Sequence, residues 1–302
     1  MERRLLFVIN PKAGRAEIKY HALAIIDKFV RAGFAVHVFT TAGKNDAFEY
    51  VRAHGAEYDR VVCCGGDGTA DEVLNGIMAL DARPQFGVIP AGTSNDYAYN
   101  LNIPANMEKA ADIVADDNTF AIDVGNFGGH YFTYVAAFGL FTEVTYETPQ
   151  DYKNLFGYLA YILEGAKRLG AQKAYHARIE YDNGVFEGDY LLGLAANSIS
   201  LAGRRTALKG SKLDDGLLEA VFIKAPASLT DMQSLTNILL DVEKMTDVKS
   251  AFIDAARTTR LRVTSAEPIA WTLDGENGGA HTESVIENVH KAVTVLRGTK
   301  KL

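Results

Sequence analysis

Three glycine-bearing segments carry residue types suited to holding a polyphosphate and a hard cation. The first is Gly65-Gly66-Asp67-Gly68-Thr69. Its glycines allow positive φ and close backbone approach, and a helix opening directly after it would present N–H groups to an anion. Asp67 inside that loop would repel a bare phosphate, so a divalent cation has to lie between them. The loop therefore reads as one for a Mg²⁺-nucleotide. Its spacing matches neither the dinucleotide fingerprint nor Walker A, because no Gly-Lys-Ser/Thr follows. On spacing alone, a tight turn without function explains it equally well. The second segment, Asn10-Pro11-Lys12-Ala13-Gly14-Arg15, reads by itself as a Pro-Gly turn with basic surface residues. The third is Pro90-Ala91-Gly92-Thr93-Ser94-Asn95-Asp96, in which Asn95 and Asp96 suit helix N-caps.

Each segment stands between a short apolar run and a helical pattern. Residues 5–9 form an apolar run stopped by Asn-Pro, as a buried parallel strand would be. A helix follows over 17–32, with Ile18, Ala22, Ile25, Ile26, Phe29 and Val30 on one face and Gly33 closing it. Strands are expected at 35–39, 61–64, 86–89 and 120–124, with helices over 45–54 and after Gly68. This alternation implies a parallel α/β domain over residues 1–125, a nucleotide-binding architecture. Three loops at the C-terminal ends of its strands favour a site over three idle turns, since open α/β sheets bind ligands at that edge.

The pattern changes after Gly125. Residues 131–138, 174–181, 185–196, 217–223, 259–264, 269–273 and 292–296 read as strands, with helices interrupting at 154–169 and 228–242. Asp182-Asn183-Gly184 is a type I′ hairpin signal. Residues 126–302 are thus expected to form a mostly antiparallel, sandwich-like second domain with inserted helices, its last residues returning to the first domain. Within it, Trp271-Thr272-Leu273-Asp274-Gly275-Glu276 stands at a strand end, where Asp-Gly is most simply a hairpin turn. Lys212-Leu213-Asp214-Asp215-Gly216 is also turn-like, though its adjacent carboxylates suit a hard cation.

Composition narrows the partners. The chain has 302 residues, 48% of them hydrophobic, and a net charge of −7, which argues against general nucleic-acid binding. No apolar run approaches the ~18 residues that span a bilayer. The run after Met1-Glu2-Arg3-Arg4 is too short for a signal peptide, so a cytoplasmic protein is expected. Cys63 and Cys64 are adjacent and read as strand packing rather than redox chemistry. The seven histidines show no zinc-ligand spacing. Arg204, Arg205, Lys209 and Lys212 cluster in an otherwise acidic chain, and a solvated loop and a loop in transient contact with an anionic bilayer account for them equally well.

Taken together, these residues resemble the diacylglycerol kinase catalytic family of bacterial soluble lipid kinases. Asn10-Pro-x-x-Gly14, Gly65-Gly-Asp-Gly-Thr69, Gly92-Thr-x-Asn-Asp96, Asp123-Val-Gly125, Leu213-Asp-Asp-Gly216 and Asp274-Gly-Glu276 occur in the family's order, spanning nearly the whole chain. Gly-Gly-Asp-Gly-Thr also occurs in the related NAD kinases and phosphofructokinases, whereas Asp274-Gly-Glu276 after a β-rich half points to lipid kinases. The resemblance implies an ATP site at Asn10, Pro11, Lys12, Ala13, Gly14, Thr41, Gly66, Asp67, Gly68, Thr69, Ala70, Asp71, Glu72 and Thr93. It implies that Asp67, Asp96 and Asp123 form a water-linked cluster for catalytic Mg²⁺, and that Glu276, with Asp274 beside it, is the general base on the lipid hydroxyl. A second, structural Mg²⁺ is implied at Asp215 with the carbonyls of Lys212 and Leu217. Arg15 and Lys153 match basic positions for phosphate or the anionic membrane surface.

The expected substrate is diacylglycerol, phosphorylated at the inner membrane face by a peripheral enzyme, with a homodimer left open. Kinases of phosphatidylglycerol, a sphingoid base or a polyprenol, or a silent lipid-binding regulator, are the alternatives. Two departures stand out. Asp71 replaces an Asn of many relatives, and the stretch from Leu201 to Lys212 lacks the family's proline.

Overall fold

In the computed structural model of the protein, residues 2–93, 95–139, 173–197, 212–240 and 251–299 are described. The chain divides into two compact units. One comprises Met1–Ile122 and Lys291–Leu302, and the other Asp123–His290. The first unit thus closes at Ile122, three residues before the expected boundary, and recovers the end of the chain.

The first unit alternates β1 (Arg3–Ile9), α1 (Ile18–Arg31), β2 (Phe34–Thr40), α2 (Asp46–His54), β3 (Arg60–Gly65), α3 (Asp67–Met78) and β4 (Gln85–Pro90). Two further helices, α4 (Asp96–Asn100) and α5 (Met107–Ala115), follow. The strands pair in parallel in the order β4-β3-β1-β2. Their continuous apolar runs, such as Leu5 to Ile9, are buried because helices cover the sheet on its faces. On α1 the inward stripe Ile18, Ile25 and Phe29 is buried, and Phe29 packs edge-on against Phe7 at 5.4 Å.

Strand β5 (Thr119–Phe127) begins in the first unit and ends in the second. It does not join the parallel run expected of residues 120–124, but pairs with β6 (His130–Phe132) and with β13 (Glu276–Leu296). The second unit continues with β7 (Val135–Gly139), β8 (Tyr175–Tyr181), β9 (Gly184–Ala196), β10 (Leu218–Lys224), α6 (Leu229–Leu240), β11 (Ile253–Thr258) and β12 (Arg260–Leu273).

These strands are hydrogen-bonded in the order β11-β10-β9-β7-β12-β13, and β8 pairs with both β9 and β12. The expected sandwich is therefore one sheet that closes on itself. Long β9 makes this possible: residues 184–190 pair with β8, and 192–196 pair with β7 and β10. Phe138, Phe222 and Trp271 fill the enclosed core, with Phe138 and Trp271 at 4.9 Å.

Several local expectations change. The strand at 131–138 is split, because the chain bends at Thr133 and Tyr134. The runs at 259–264 and 269–273 are one strand, whose register breaks between Thr264 and Ile269. Pro268 lies in that bulge, where its missing N–H costs nothing. The run at 292–296 is only the end of the 21-residue β13. The β8–β9 hairpin forms, with Tyr181 opposite Gly184, but neither Asp182 nor Asn183 has positive φ, so the turn is not type I′. Asp182 instead accepts hydrogen bonds from Thr259 N at 2.6 Å and Thr259 Oγ1 at 3.1 Å. The helical pattern at 154–169 lies outside the described residues.

Candidate active site

The strand ends of the first unit are level. Ile9 pairs with both Thr40 and Cys64, and Gly65 pairs with Pro90. Because β1 lies between β2 and β3, the connections after β1 and β3 leave toward opposite sides of the sheet, which opens a crevice at their C-terminal ends. The three glycine-bearing loops meet there. Asn10 links the first two, its N–H donating to Cys64 O at 2.9 Å and its Nδ2 to Thr69 Oγ1 at 3.0 Å. Ala91 N donates to Gly65 O at 2.9 Å and joins the third.

Contact is backbone to backbone. A Cβ at Gly14, where φ is +54°, would lie 2.3 Å from Ala91 O, and one at Gly92 would lie 2.5 Å from Gly66 Cα. No side chain fits at either place, which leaves a cradle lined by peptide groups beside the first turn of α3. Asn95, at φ +55°, closes the third loop by accepting from Gly92 N and donating to Gly92 O, both at 2.8 Å.

Asp67 is the first residue of α3, and its Oδ1 accepts from Tyr97 N at 3.1 Å. Tyr97 follows Asp96, so this bond brings Asp67 to the α4 N-terminus that carries Asp96. Among the described residues, Asp67 Oδ2 takes no hydrogen bond. An open carboxylate oxygen beside a peptide-lined cradle fits a hard cation and a nucleotide phosphate. Pro11, Lys12, Gly14, Arg15, Gly68 and Thr93 are exposed around this edge, while Ala13, Thr41, Thr69 and Ala70 are buried beneath it. Glu72 serves the scaffold instead, since its carboxylate accepts from Asn45 N at 2.8 Å and Ala47 N at 3.2 Å, holding the start of α2. The added carboxylate of Asp71 accepts from Asn75 Nδ2 at 3.1 Å.

In the second unit, Asp123 is fully buried. Its Oδ2 accepts from Gly216 N at 2.6 Å, its Oδ1 lies 2.9 Å from His290 Nδ1, and its N–H donates to Leu213 O at 2.7 Å. Asn197 Nδ2 donates to its carbonyl, and Asn288 Nδ2 donates to Asn197 Oδ1 at 3.2 Å. Asp123 is thus tied to the Asp-Asp-Gly turn expected to hold a separate ion.

That turn brings Lys212, Asp215 and Leu217 together. Asp215 accepts from Lys212 N at 3.0 Å and Leu217 N at 3.1 Å, and Arg257 Nη2 donates to it at 2.6 Å. A guanidinium already neutralises Asp215, so the donor set around this carboxylate is poor for a second Mg²⁺. Among the described residues no cluster of three or more His, Cys, Asp or Glu is arranged to hold a metal.

Asp274 and Gly275 form the two-residue turn from β12 to β13, with φ of +49° and +91°, as a type I′ turn requires. Asp274 Oδ2 accepts from Thr133 N at 2.7 Å and Thr133 Oγ1 at 3.0 Å; its Oδ1 accepts from Tyr134 N at 2.9 Å and Val135 N at 2.8 Å. Four donors on one carboxylate make Asp274 a clamp on the β6–β7 connection. Glu276 opens β13 opposite Leu273 and is exposed.

Sequence reasoning missed His290, Asn197 and Arg257, whose roles arise from contacts across the fold with no local signal. Lys153, Arg204, Arg205 and Lys209 lie outside the described residues. Cys63 and Cys64 are buried free thiols; burial pushes the Cys64 thiol up to about 12 and Cys63 well above its ordinary range.

The family model for the diacylglycerol kinase catalytic domain matches residues 4–127. A diacylglycerol kinase of Bacillus subtilis is 35% identical over 301 residues, 99% of this chain and 98% of that one. One from Staphylococcus epidermidis is 34% identical over 280 residues, 92% of this chain and 87% of the relative. The crystal structure of a Bacillus anthracis diacylglycerol kinase, at 24% identity, has a TM-score of 0.75 over 98% of this chain and 97% of that one, and shows the same fold. With its nucleotide-type loops interlocked at one sheet edge and relatives matched along nearly its full length, the chain belongs to the diacylglycerol kinase catalytic family and is an ATP-using lipid kinase.

Proposed function

We propose that this chain transfers the γ-phosphoryl group of ATP to the free hydroxyl of diacylglycerol, giving phosphatidic acid and ADP. The observation that carries the reading is the cradle formed where the three loops interlock, with Asp67 at its rim keeping one carboxylate oxygen open. Phosphoryl transfer passes through a loose transition state, so positioning and charge neutralisation set the barrier. A bound Mg²⁺ would supply charge neutralisation to the phosphoryl group being transferred. Asp67 and Asp96 of the first unit would hold that ion, and the amides of the loops and of the first turn of α3 would bind the phosphates.

Glu276 accepts the lipid hydroxyl proton as the oxygen–phosphorus bond forms and the bond to the ADP oxygen breaks. A carboxylate suffices, because the hydroxyl becomes acidic as that bond forms. Asp274 positions Glu276 through the turn and takes no proton. One Mg²⁺ accounts for this chemistry, with Arg257 as the counter-charge at Asp215. No helix among the described residues is long and apolar enough to cross a membrane. Contact with an anionic surface then falls to basic residues, namely Arg15, Lys153, Arg204, Arg205, Lys209 and Lys212, and is expected to weaken as salt screens them.

Transfer from ATP labelled at its γ-phosphate to a panel of diacylglycerol, phosphatidylglycerol, sphingoid base and polyprenol in mixed micelles tests the reading, with Asp67→Ala as the inactive control. Label in phosphatidic acid is expected. Label only in another lipid reassigns the substrate, and no transfer to any lipid favours a binding protein.

A further inference from the structure

In the first unit, β2 pairs with β1 on one side and, among the described residues, with no strand on the other. Thr41 N donates to Ile9 O at 2.9 Å. In the regular ladder that precedes it, the N–H groups of Ala35, His37 and Phe39 therefore point toward β1, and those of Val36, Val38 and Thr40 point away. This free edge carries none of the devices that commonly keep an edge strand from pairing with another chain. Phe34–Thr40 reads FAVHVFT, without a lysine, a carboxylate, a proline or a break in register.

The helix beside this edge adds an apolar surface. Of the six large hydrophobic side chains exposed among the described residues, Tyr20, Leu23 and Val30 stand on α1 and Val38 on β2, with Leu23 at 80%. Their direction follows from the neighbours of α1. His21 Nδ1 meets Glu108 of α5 at 2.9 Å and Lys28 pairs with Asp112, so this side of α1 faces α5. Helix α5 in turn packs on β4, across the sheet from β2. Leu23 and Val30 each follow two residues later, about 200° round the helix, and so point away from α5 toward the free edge. Val38 lies on the same face as α1, because it pairs with Phe7, whose ring packs on Phe29. A contiguous apolar surface of this kind marks an interface.

We propose that this edge docks a second copy of the chain, with β2 pairing antiparallel to β2 of the partner subunit about a two-fold axis perpendicular to the sheet. An axis through His37 sets Val36 opposite Val38 of the partner subunit, and both residues have outward N–H and C=O groups to exchange. The surface is therefore self-complementary, as a two-fold interface requires. The same axis lays α1 antiparallel beside its copy and covers Leu23 and Val30 on both. On the other face of the sheet Tyr50 of α2 stacks on Phe39 at 3.9 Å, so the edge is three layers deep. Seven strand residues span about 24 Å and the three layers about 30 Å, on the order of 700 Å² per copy, close to the ~800 Å² that each partner buries in a standard interface. A bilayer could cover the helix face, but it would leave the outward N–H and C=O groups of β2 without partners.

The test combines sedimentation velocity of the full chain between roughly 1 and 100 μM with amide hydrogen exchange across residues 34–41, for the parent and for Leu23→Glu with Val38→Lys. The parent should sediment as a dimer, with the amides of Val36, Val38 and Thr40 protected. The double variant should associate at least about tenfold more weakly. Its Val36 and Thr40 amides should exchange fast, while those of Ala35, His37 and Phe39, bonded to β1, stay protected and show that the unit is folded. Should that protection be lost, Leu23→Glu alone, at the most exposed position, carries the same expectation. A parent that is monomeric throughout overturns the proposal, and so does a dimer that survives the substitutions. A dimer whose Val36, Val38 and Thr40 amides exchange freely also overturns it, because it uses another surface. Flotation of a monomeric parent with phosphatidylcholine vesicles, lost in the variant, would overturn it in favour of a bilayer.

Discussion

Asp274 and Glu276 flank Gly275 on one hairpin, yet only Glu276 is exposed. Asp274 receives four hydrogen bonds from Thr133, Tyr134 and Val135, while Glu276 sits at the exposed opening of β13. With two donors on each oxygen, the Asp274 carboxylate is committed to holding the β6–β7 connection. The pair therefore divides into a holder and a candidate base, and substitution at each should produce a different kind of defect.

Glu276→Gln keeps size and hydrogen bonding but removes basicity. It should lower kcat by the ~10²–10⁴ expected of a lost general base, with KM for ATP nearly unchanged. Steady-state kinetics showing less than a tenfold fall in kcat would remove Glu276 from the role.

Asp274→Ala should act through stability first. It strands the N–H groups of Thr133, Tyr134 and Val135, at a cost on the order of 3 kcal/mol. For a unit of this size that corresponds to a Tm lower by roughly 6–12 °C. Thermal unfolding that matches the parent, together with a catalytic defect like that of Glu276→Gln, would instead make Asp274 a direct participant.

Arg257→Ala leaves Asp215 without its cationic partner. The pair is largely shielded, with 32% and 18% of the two side chains exposed, so a loss of about 1–2 kcal/mol is expected. With Arg257 present, Tm should not respond to EDTA; in Arg257→Ala, added Mg²⁺ should restore part of the loss by taking the guanidinium's place. Melting curves of the parent that fall on chelation would restore a structural cation to this turn.

Cys63 and Cys64 should be silent toward a thiol reagent at pH 8 in the native protein and both react after unfolding. Burial raises both thiols, Cys64 to about 12, so the reactive thiolate is scarce in the folded state. Because the folded-state values lie above the unfolded ~8.5, the thiols contribute stability that is fully present below that pH and declines as pH rises through it toward about 12. Fast labelling at pH 8 under native conditions would contradict the packing role.

The sequence by itself determined what depends on neighbours along the chain. Strand–loop–helix alternation in the first unit was legible because burial periodicity and turn chemistry are written in adjacent residues, and Leu5 to Ile9 followed by Asn-Pro is such a signal. The three loops were legible for the same reason, since each is a glycine-bearing turn directly after an apolar run, but what excludes a side chain at Gly14 and Gly92 is the approach of Ala91 and Gly66 from neighbouring loops. Tertiary structure decided the partners. His290 reaches Asp123 from 167 residues away, and Thr133 reaches Asp274 from 141. Neither contact leaves a local trace, because register and sheet closure bring these side chains together.

The same holds for turns and long strands. Asp182-Asn183 and Asp274-Gly275 are both two-residue hairpin turns, but only the second has positive φ at both positions. At the first, the Asp182 carboxylate is engaged by Thr259, a strand-neighbour contact that overrides the local preference. Most of β13 went unread because its polar residues, from Glu276 to Lys291, give no apolar alternation to follow; pairing with β12 makes it a strand. Local chemistry proposes where a carboxylate stands, and the hydrogen bonds of the assembled sheet decide whether it is left to bind an ion, to take a proton or to hold a turn.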